Sequence, residues 1–265
     1  MAKQRSETFD EVAQLYDAVR PSYPDALFEA IVELAQLPDD AHILEIGAGT
    51  GKATLPFARR GYAMHCLEPG ANLVSVLTRN VCEYPKVTVE PVSFEGWSLR
   101  ENSFDLVISA QAFHWVSKEI GYMKSAQALK ETGSIALFWN VPPDSDSELD
   151  YKIDEAYRTY APEVAKGGSL ATSPHSSFEE RIRDGEVSLM ESGYFKEVVV
   201  KQFPWSQWYD TTQYLDLLNT YSDHRLLNEE TRKVLFDQVA AILTENGGGI
   251  EKQHIATLFV AKRDL

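Results

Sequence analysis

The chain has 265 residues, 44% apolar and 25% charged, the make-up of an ordinary globular protein long enough to bury its own core. Its 25 Lys and Arg against 40 Asp and Glu leave a net charge of −15 shared by both halves, which argues against nucleic acid as a partner because such a surface repels phosphate backbones. Cys66 and Cys82 are too few for a disulfide framework or a four-thiolate zinc site, no apolar run reaches a membrane span, and the first residues lack an apolar leader, so a cytoplasmic protein with no membrane partner is expected.

Residues 9–16 read as a short helix stopped before Pro21, and Pro24 opens a second helix on which Leu27, Ile31 and Leu34 recur at helical spacing. His42 to Ile46 is a short apolar strand running straight into Gly47-Ala48-Gly49-Thr50-Gly51. Thr54 to Arg60 is a helix closed by Gly61, Ala63 to Leu67 a second strand, Asn72 to Asn80 a helix, and Val87 to Val89 a third strand. A fourth strand covers Phe104 to Ser109, a helix Ile120 to Leu129, and a fifth strand Ser134 to Trp139. Strand and helix alternate at the spacing of parallel crossovers, which predicts a doubly wound α/β sheet. From Pro142 to about Phe195 the chain turns polar, with one helix over Glu148 to Tyr160 and a break at Lys166-Gly167-Gly168-Ser169. Val198 to Val200 resumes a strand, helices follow over Thr212 to Thr220 and Glu229 to Leu243, and Ile255 to Ala261 is the last strand. The expected organisation is a single domain over 1–265: a cofactor-binding core at 9–140, a helical insertion or lid at 142–195, and a part at 196–265 that completes the sheet.

Open parallel sheets bind ligands beyond the carboxyl ends of their strands. Here the first strand ends in a glycine-rich turn, whose glycines let the backbone approach a ligand closely. Glu68, 21 residues after Gly47, ends the second strand, where a carboxylate can accept from both hydroxyls of an adenosine ribose. The dinucleotide fingerprint needs its third glycine five positions after the first, whereas Gly51 stands four after Gly47, and Lys52 occupies the required place. Glu45 precedes the first glycine by two residues; a buried carboxylate there suits a cationic ligand and repels a pyrophosphate. These features favour S-adenosylmethionine over NAD as the cofactor.

The stretches Leu44–Gly51, Leu67–Gly70, Glu101–Val116 and Ala136–Asn140 resemble the class I S-adenosylmethionine-dependent methyltransferases, in the small-molecule branch that holds type 11 and trans-aconitate methyltransferase-like enzymes. The resemblance implies a Rossmann-like, mostly parallel sheet of seven strands with the last antiparallel, and methyl transfer to a small-molecule acceptor. It further implies that Glu45, Gly47, Ala48, Gly49 and Gly51 line the methionyl part of the cofactor, that Glu68 takes the ribose, that Pro69 is among the cofactor-binding residues, and that Ser109, Ala110 and Gln111 lie near the methionine. Phe94 and Glu95 stand where the adenine contact is expected, Phe94 by stacking or packing and Glu95 by accepting from the amino group. The segment Tyr16–Pro24 also resembles that branch, and Tyr16 and Arg20, four apart on one helical face, are candidates to close over the cofactor or to hold a carboxylate. His114 is the candidate general base if the acceptor must lose a proton. Thr220 to His224 is a weaker candidate substrate contact, and His65, His175 and His254 lack cooperating ligands at metal spacing, so no metal is expected. Two other readings remain: a non-catalytic protein that binds S-adenosylmethionine or S-adenosylhomocysteine as a regulator, and an NAD-type oxidoreductase. No coiled-coil seam is present, and a monomer or weak homodimer is expected.

Overall fold

The computed structural model describes residues 10–143, 147–167 and 178–264, and it falls into two compact units. The break at Gly168-Ser169 and His175 lie outside the described residues.

The sheet unit takes in Ser22–Asn140, Ile182–Phe203 and Ala256–Leu265. It opens with α2 (Asp25–Ala35), which follows α1 (Ala13–Val19) of the other unit in sequence. Pro24 caps α2, whose Leu27, Phe28 and Ile31 are fully buried. Phe28 meets Phe57 edge-on at 5.5 Å between centroids, a favoured aromatic arrangement. The alternation read from the sequence continues as β1 (His42–Ile46), α3 (Thr54–Arg59), β2 (Ala63–Leu67), α4 (Ala71–Asn80), β3 (Val87–Glu90), β4 (Phe104–Ala110), α5 (Lys118–Ala128) and β5 (Leu129–Val141). Strands β1 to β5 pair in parallel, with β1 between β2 and β4. Seven strands make one sheet in the order β3-β2-β1-β4-β5-β7-β6, where β6 is Phe195–Asp210 and β7, antiparallel, is Gly249–Arg263. The order reverses beside β1, so the carboxyl ends of β1 and β4 flank the place where such sheets bind ligands. Leu44, Val107, Ile135 and Leu137 form the core with Trp97 and Phe104.

The helical unit takes in Met1–Pro21, Val141–Arg181 and Pro204–Ile255. It therefore draws on three stretches of chain, where the sequence suggested one insertion at 142–195. It contains α1, α6 (Glu148–Tyr160), α7 (Pro162–Gly167), α9 (Thr211–Asn219), α10 (Ser222–Leu226) and α11 (Glu229–Glu245), while α8 (Phe178–Glu191) begins here and ends in the sheet unit. Local signals start its helices: Ser147 and Asn228 accept from the third amide beyond them, and Asp210 with Gln213 makes a reciprocal capping box. Tyr157, Leu217, Leu235 and Val239 form its core.

One buried polar pair lies inside that core: the Tyr157 hydroxyl is 2.6 Å from Nε2 of His224, and both residues are fully buried. Burial pushes the His224 pKa down to about 4. The unfolded chain then binds a proton that the folded one refuses between about pH 6.5 and 4, so this residue withdraws up to about 3 kcal/mol of stability as pH falls through that window. Tyr157→Phe leaves a buried nitrogen unpaired and is expected to cost about 1–3 kcal/mol, read as a lowered denaturant midpoint at neutral pH. An unchanged midpoint would show that the pair contributes nothing.

Candidate functional site

The turn after β1 is built from backbone that only glycine adopts easily. Gly47, Gly49 and Gly51 have φ of +70°, +58° and +93°. The N–H groups of Gly47 and Ala48 both donate to Leu67 O, at 2.9 and 3.1 Å, and so tie the turn to the end of β2. A Cβ on Gly47 would stand 2.5 Å from Ala112 Cβ and one on Gly51 would stand 2.7 Å from Leu77 Cδ1, whereas one on Gly49 would meet nothing within 4 Å. The first and last glycines make room for the protein itself. The middle one keeps a face open.

Two buried carboxylates accompany the turn, one bonded to it and one on the strand before it. Glu68 is only 6% exposed and accepts from Gly49 N–H through Oε2 and from Gly70 N–H through Oε1, each at 2.9 Å. It therefore shapes the turn in addition to the ribose role expected of it. Glu45 is 1% exposed; Oε2 accepts from Thr54 Oγ1 at 2.6 Å and lies 3.7 Å from the Cys66 thiol. Burial, with a smaller push from Glu68, raises its pKa to about 7. Thr54 was missed by sequence reasoning although it is the first residue of α3 and lies nine positions after Glu45.

The carboxyl end of β4 closes the other side. Ser109 is buried and donates from Oγ to Ile46 O at 2.9 Å, Ala110 ends the strand, and Gln111 adopts φ +55°. A non-glycine residue held there is strained, and its side chain reaches Asn140 O at the end of β5. Pro69, next to Glu68, is exposed.

The loop between β3 and β4 differs from expectation in how it is held. Phe94 is 3% exposed and stacks on Trp97 at 6.1 Å, inside the core of the sheet unit, which leaves little of its ring for an adenine. Glu95 accepts from Ser117 N–H at 3.1 Å. The loop is fastened by Lys124, whose buried ammonium donates to the carbonyls of Phe94, Glu95 and Trp97 at 2.7, 3.1 and 2.6 Å and lies over the Phe94 and Trp97 rings. Desolvation lowers its pKa from the ordinary lysine value. No sequence signal marked this residue, because its acceptors are backbone carbonyls 27 to 30 positions away. Lys124→Met would strip a charged donor from three carbonyls, so we expect a loss of about 2–4 kcal/mol and faster amide exchange over residues 93–97. Unaltered exchange in that loop would count against Lys124 as its anchor.

Tyr16 and Arg20 belong to the helical unit. There Arg20 donates from Nε to Thr220 Oγ1 at 2.7 Å and from its terminal nitrogen to Thr220 O at 2.9 Å, with the Tyr16 and Tyr221 rings 5.0 and 4.3 Å from its guanidinium carbon. His114 follows β4 in a single 3-10 turn, Phe113–Trp115. Among the described residues no group of three or more His, Cys, Asp or Glu side chains is arranged to hold a metal, and no helix is long and apolar enough to cross a membrane.

A glycine turn with one open face and two buried carboxylates beside it, at the switch point of this sheet, has the chemistry expected of a site for an adenosyl ligand with a cationic end. The donor set fits S-adenosylmethionine: the frame is acidic, which would repel a pyrophosphate, and the open Gly49 face admits close approach. Residues 43–133 match a family described as a methyltransferase domain. An uncharacterized methyltransferase-like protein of Schizosaccharomyces pombe is 32% identical over 163 residues, a match that takes in 59% of this chain and 61% of that one. Among solved structures, a chain from Anaeromyxobacter dehalogenans described as a type II methyltransferase superposes with a TM-score of 0.64 at 23% identity, over 92% of this chain and 96% of that one. The phosphoethanolamine N-methyltransferase 2 of Haemonchus contortus, bound to phosphomonomethylethanolamine and S-adenosylhomocysteine, superposes at 0.59 with 14% identity, over 100% of this chain and 61% of that one. Over residues 43–133 the chain is thus similar to methyltransferase domains, and it spans about three fifths of the length of the Schizosaccharomyces pombe relative.

Proposed function

We propose that this chain transfers a methyl group from S-adenosylmethionine to a small-molecule acceptor. The observation that carries the reading is the acidic glycine turn, in which both carboxylates are buried and, of the three glycines, only Gly49 has open space where a side chain would stand. Glu45, Gly47, Ala48, Gly49 and Gly51 would hold the methionyl part and Glu68 the ribose, with Ser109, Ala110 and Gln111 opposite. When bound, the cofactor supplies a sulfonium-activated methyl group that needs no further activation. The protein's part is then to align the acceptor and keep water out, and alignment alone can contribute roughly 7–11 kcal/mol.

Calorimetric titration with S-adenosylmethionine, S-adenosylhomocysteine and NAD tests the cofactor. Dissociation constants on the order of micromolar for both sulfur ligands, with no heat from NAD, are expected. Binding of NAD, or of none of the three, overturns the reading. Binding of both sulfur ligands without transfer to any acceptor would favour a regulatory binding protein instead.

A further inference from the structure

We propose that Trp139 is a positioning residue whose indole N–H fixes His114 as an Nε2–H donor, so that His114 binds a lone pair on an anionic acceptor oxygen and takes no proton from it. The proposal rests on the methyl-transfer reading above.

The two residues meet at the carboxyl ends of neighbouring strands. Strands β4 and β5 pair with Ala110 opposite Phe138, which brings Trp139 beside the turn that carries His114. Trp139 is braced by Phe259 of β7, whose ring lies edge-on at 5.9 Å. Its Nε1 lies 3.3 Å from Nδ1 of His114. An indole nitrogen can only donate, so Nδ1 must offer its lone pair, and in a neutral imidazole the proton then sits on Nε2. The other tautomer, and the imidazolium, would set two N–H groups against each other. His114 is an exposed residue, and partial desolvation of its ring by the protein beside it lowers its pKa from the ordinary value. Nε2 meets no hydrogen-bonding group among the described residues, and beside it stands Trp115, 42% exposed, with its ring 4.7 Å from that of His114. The result is an open N–H donor next to an exposed apolar face.

This arrangement decides what His114 can do. A general base needs a free lone pair; that of Nδ1 is committed to Trp139, and Nε2 has none. An acceptor hydroxyl that must shed its proton finds no base here. A carboxylate oxygen already owns the electron pair that forms the new bond to the methyl carbon. The carbon–sulfur pair leaves with sulfur, and no proton moves. The acceptor class that fits is a carboxylic acid with an apolar body, its second oxygen accepting from Nε2–H and its body lying on Trp115.

Nitrogen-15 NMR of the free protein reads the tautomer without any turnover. At neutral pH, Nδ1 of His114 is expected at the shift of an unprotonated ring nitrogen and Nε2 at that of a protonated one. Trp139→Phe keeps an aromatic ring against Phe259 and is expected to mix the tautomers and move the titration toward about 6.5. A proton on Nδ1 in the wild type, or a tautomer unchanged by Trp139→Phe, overturns the proposal. Turnover supplies the second arm, with methyl-labelled S-adenosylmethionine and a series of aromatic and aliphatic carboxylic acids, each paired with its alcohol. Methyl esters of the acids and no ethers are expected. His114→Gln can accept from Trp139 and donate outward but cannot act as a base, so it is expected to stay within about tenfold of wild type, while His114→Ala falls about 100-fold. A glutamine variant as slow as the alanine one, or alcohols methylated as fast as acids, overturns the donor role. Transfer to neither series, with S-adenosylmethionine still bound, overturns the carboxylate assignment and leaves the methyl-transfer reading standing, and the nitrogen shifts then still decide the tautomer.

Discussion

Gly49→Ala is expected to fold and to lose its affinity for S-adenosylhomocysteine by about 100-fold or more, a change of about 3 kcal/mol. The protein has no quarrel with the extra methyl: no atom lies within 4 Å of where it would stand. The backbone at φ +58° charges an L-residue roughly 1–2 kcal/mol, which a domain of this size tolerates. The Gly49 N–H keeps its bond to Glu68 Oε2, because alanine leaves the amide in place. In the proposed site, what the methyl would meet is the ligand. Gly47→Ala provides the contrast, since its Cβ would sit 2.5 Å from Ala112 Cβ and must displace the chain that follows β4. That variant is expected to lose several times more stability than Gly49→Ala. Thermal unfolding and calorimetry on the two proteins check both halves. If Gly49→Ala binds within about threefold of wild type, the open face of the turn is not where the ligand lies.

The turn was legible because all its determinants are local: an apolar strand, glycines at fixed spacing and an acid two residues before the first. The same holds for α6, whose predicted span, Glu148 to Tyr160, matches the helix observed, with Ser147 as its cap. Of strands β6 and β7 the sequence pattern marks only Val198–Val200 and Ile255–Ala261, yet they run for 16 and 15 residues. Each passes from one unit into the other, so no single core stamps one apolar pattern along it. Strand β6 is also an edge strand, with Lys201, Gln202 and Pro204 in its middle, residues that suit an edge and hide it from a pattern search. The 142–195 stretch shows one helix in its pattern and hides α8, because α8 buries only Leu189 completely among its described residues. The Tyr157–His224 and Trp139–His114 pairs join residues 67 and 25 apart, and nothing in either neighbourhood names its partner. Fold and glycine turn follow from short-range rules; the polar pairs that set protonation follow from packing.

Glu45 makes the second large prediction, because its carboxyl is buried and its pKa stands at about 7 against an ordinary 4.5. The sign follows from proton counting. Above about pH 7 the side chain is ionised in both folded and unfolded chains, and the folded state carries the full penalty of a buried charge. As pH falls from about 7 to about 4.5 the folded state takes up a proton that the unfolded one does not, so this residue's contribution rises by about 3 kcal/mol. The direction is opposite to that of His224, so only a comparison with a variant isolates it. Glu45→Gln keeps an oxygen for Thr54 and removes the charge. It is expected to be more stable than wild type by about 3 kcal/mol near pH 8 and equal to it near pH 4.5. Binding should move the other way. A ligand ammonium beside Glu45 favours the ionised form, so binding at about pH 6 should release about one proton, seen as a heat that depends on the ionisation enthalpy of the buffer. Glu45→Gln should abolish that dependence and weaken binding by about tenfold or more. Buffer-independent heats, with Glu45→Gln binding as tightly as wild type, would mean that the carboxylate braces Thr54 and the turn without touching the ligand. The stability difference would survive such a result, since it depends only on burial. A residue that costs the fold about 3 kcal/mol at alkaline pH and is kept at the ligand end of β1 is then explained by what it binds, provided the proton is released.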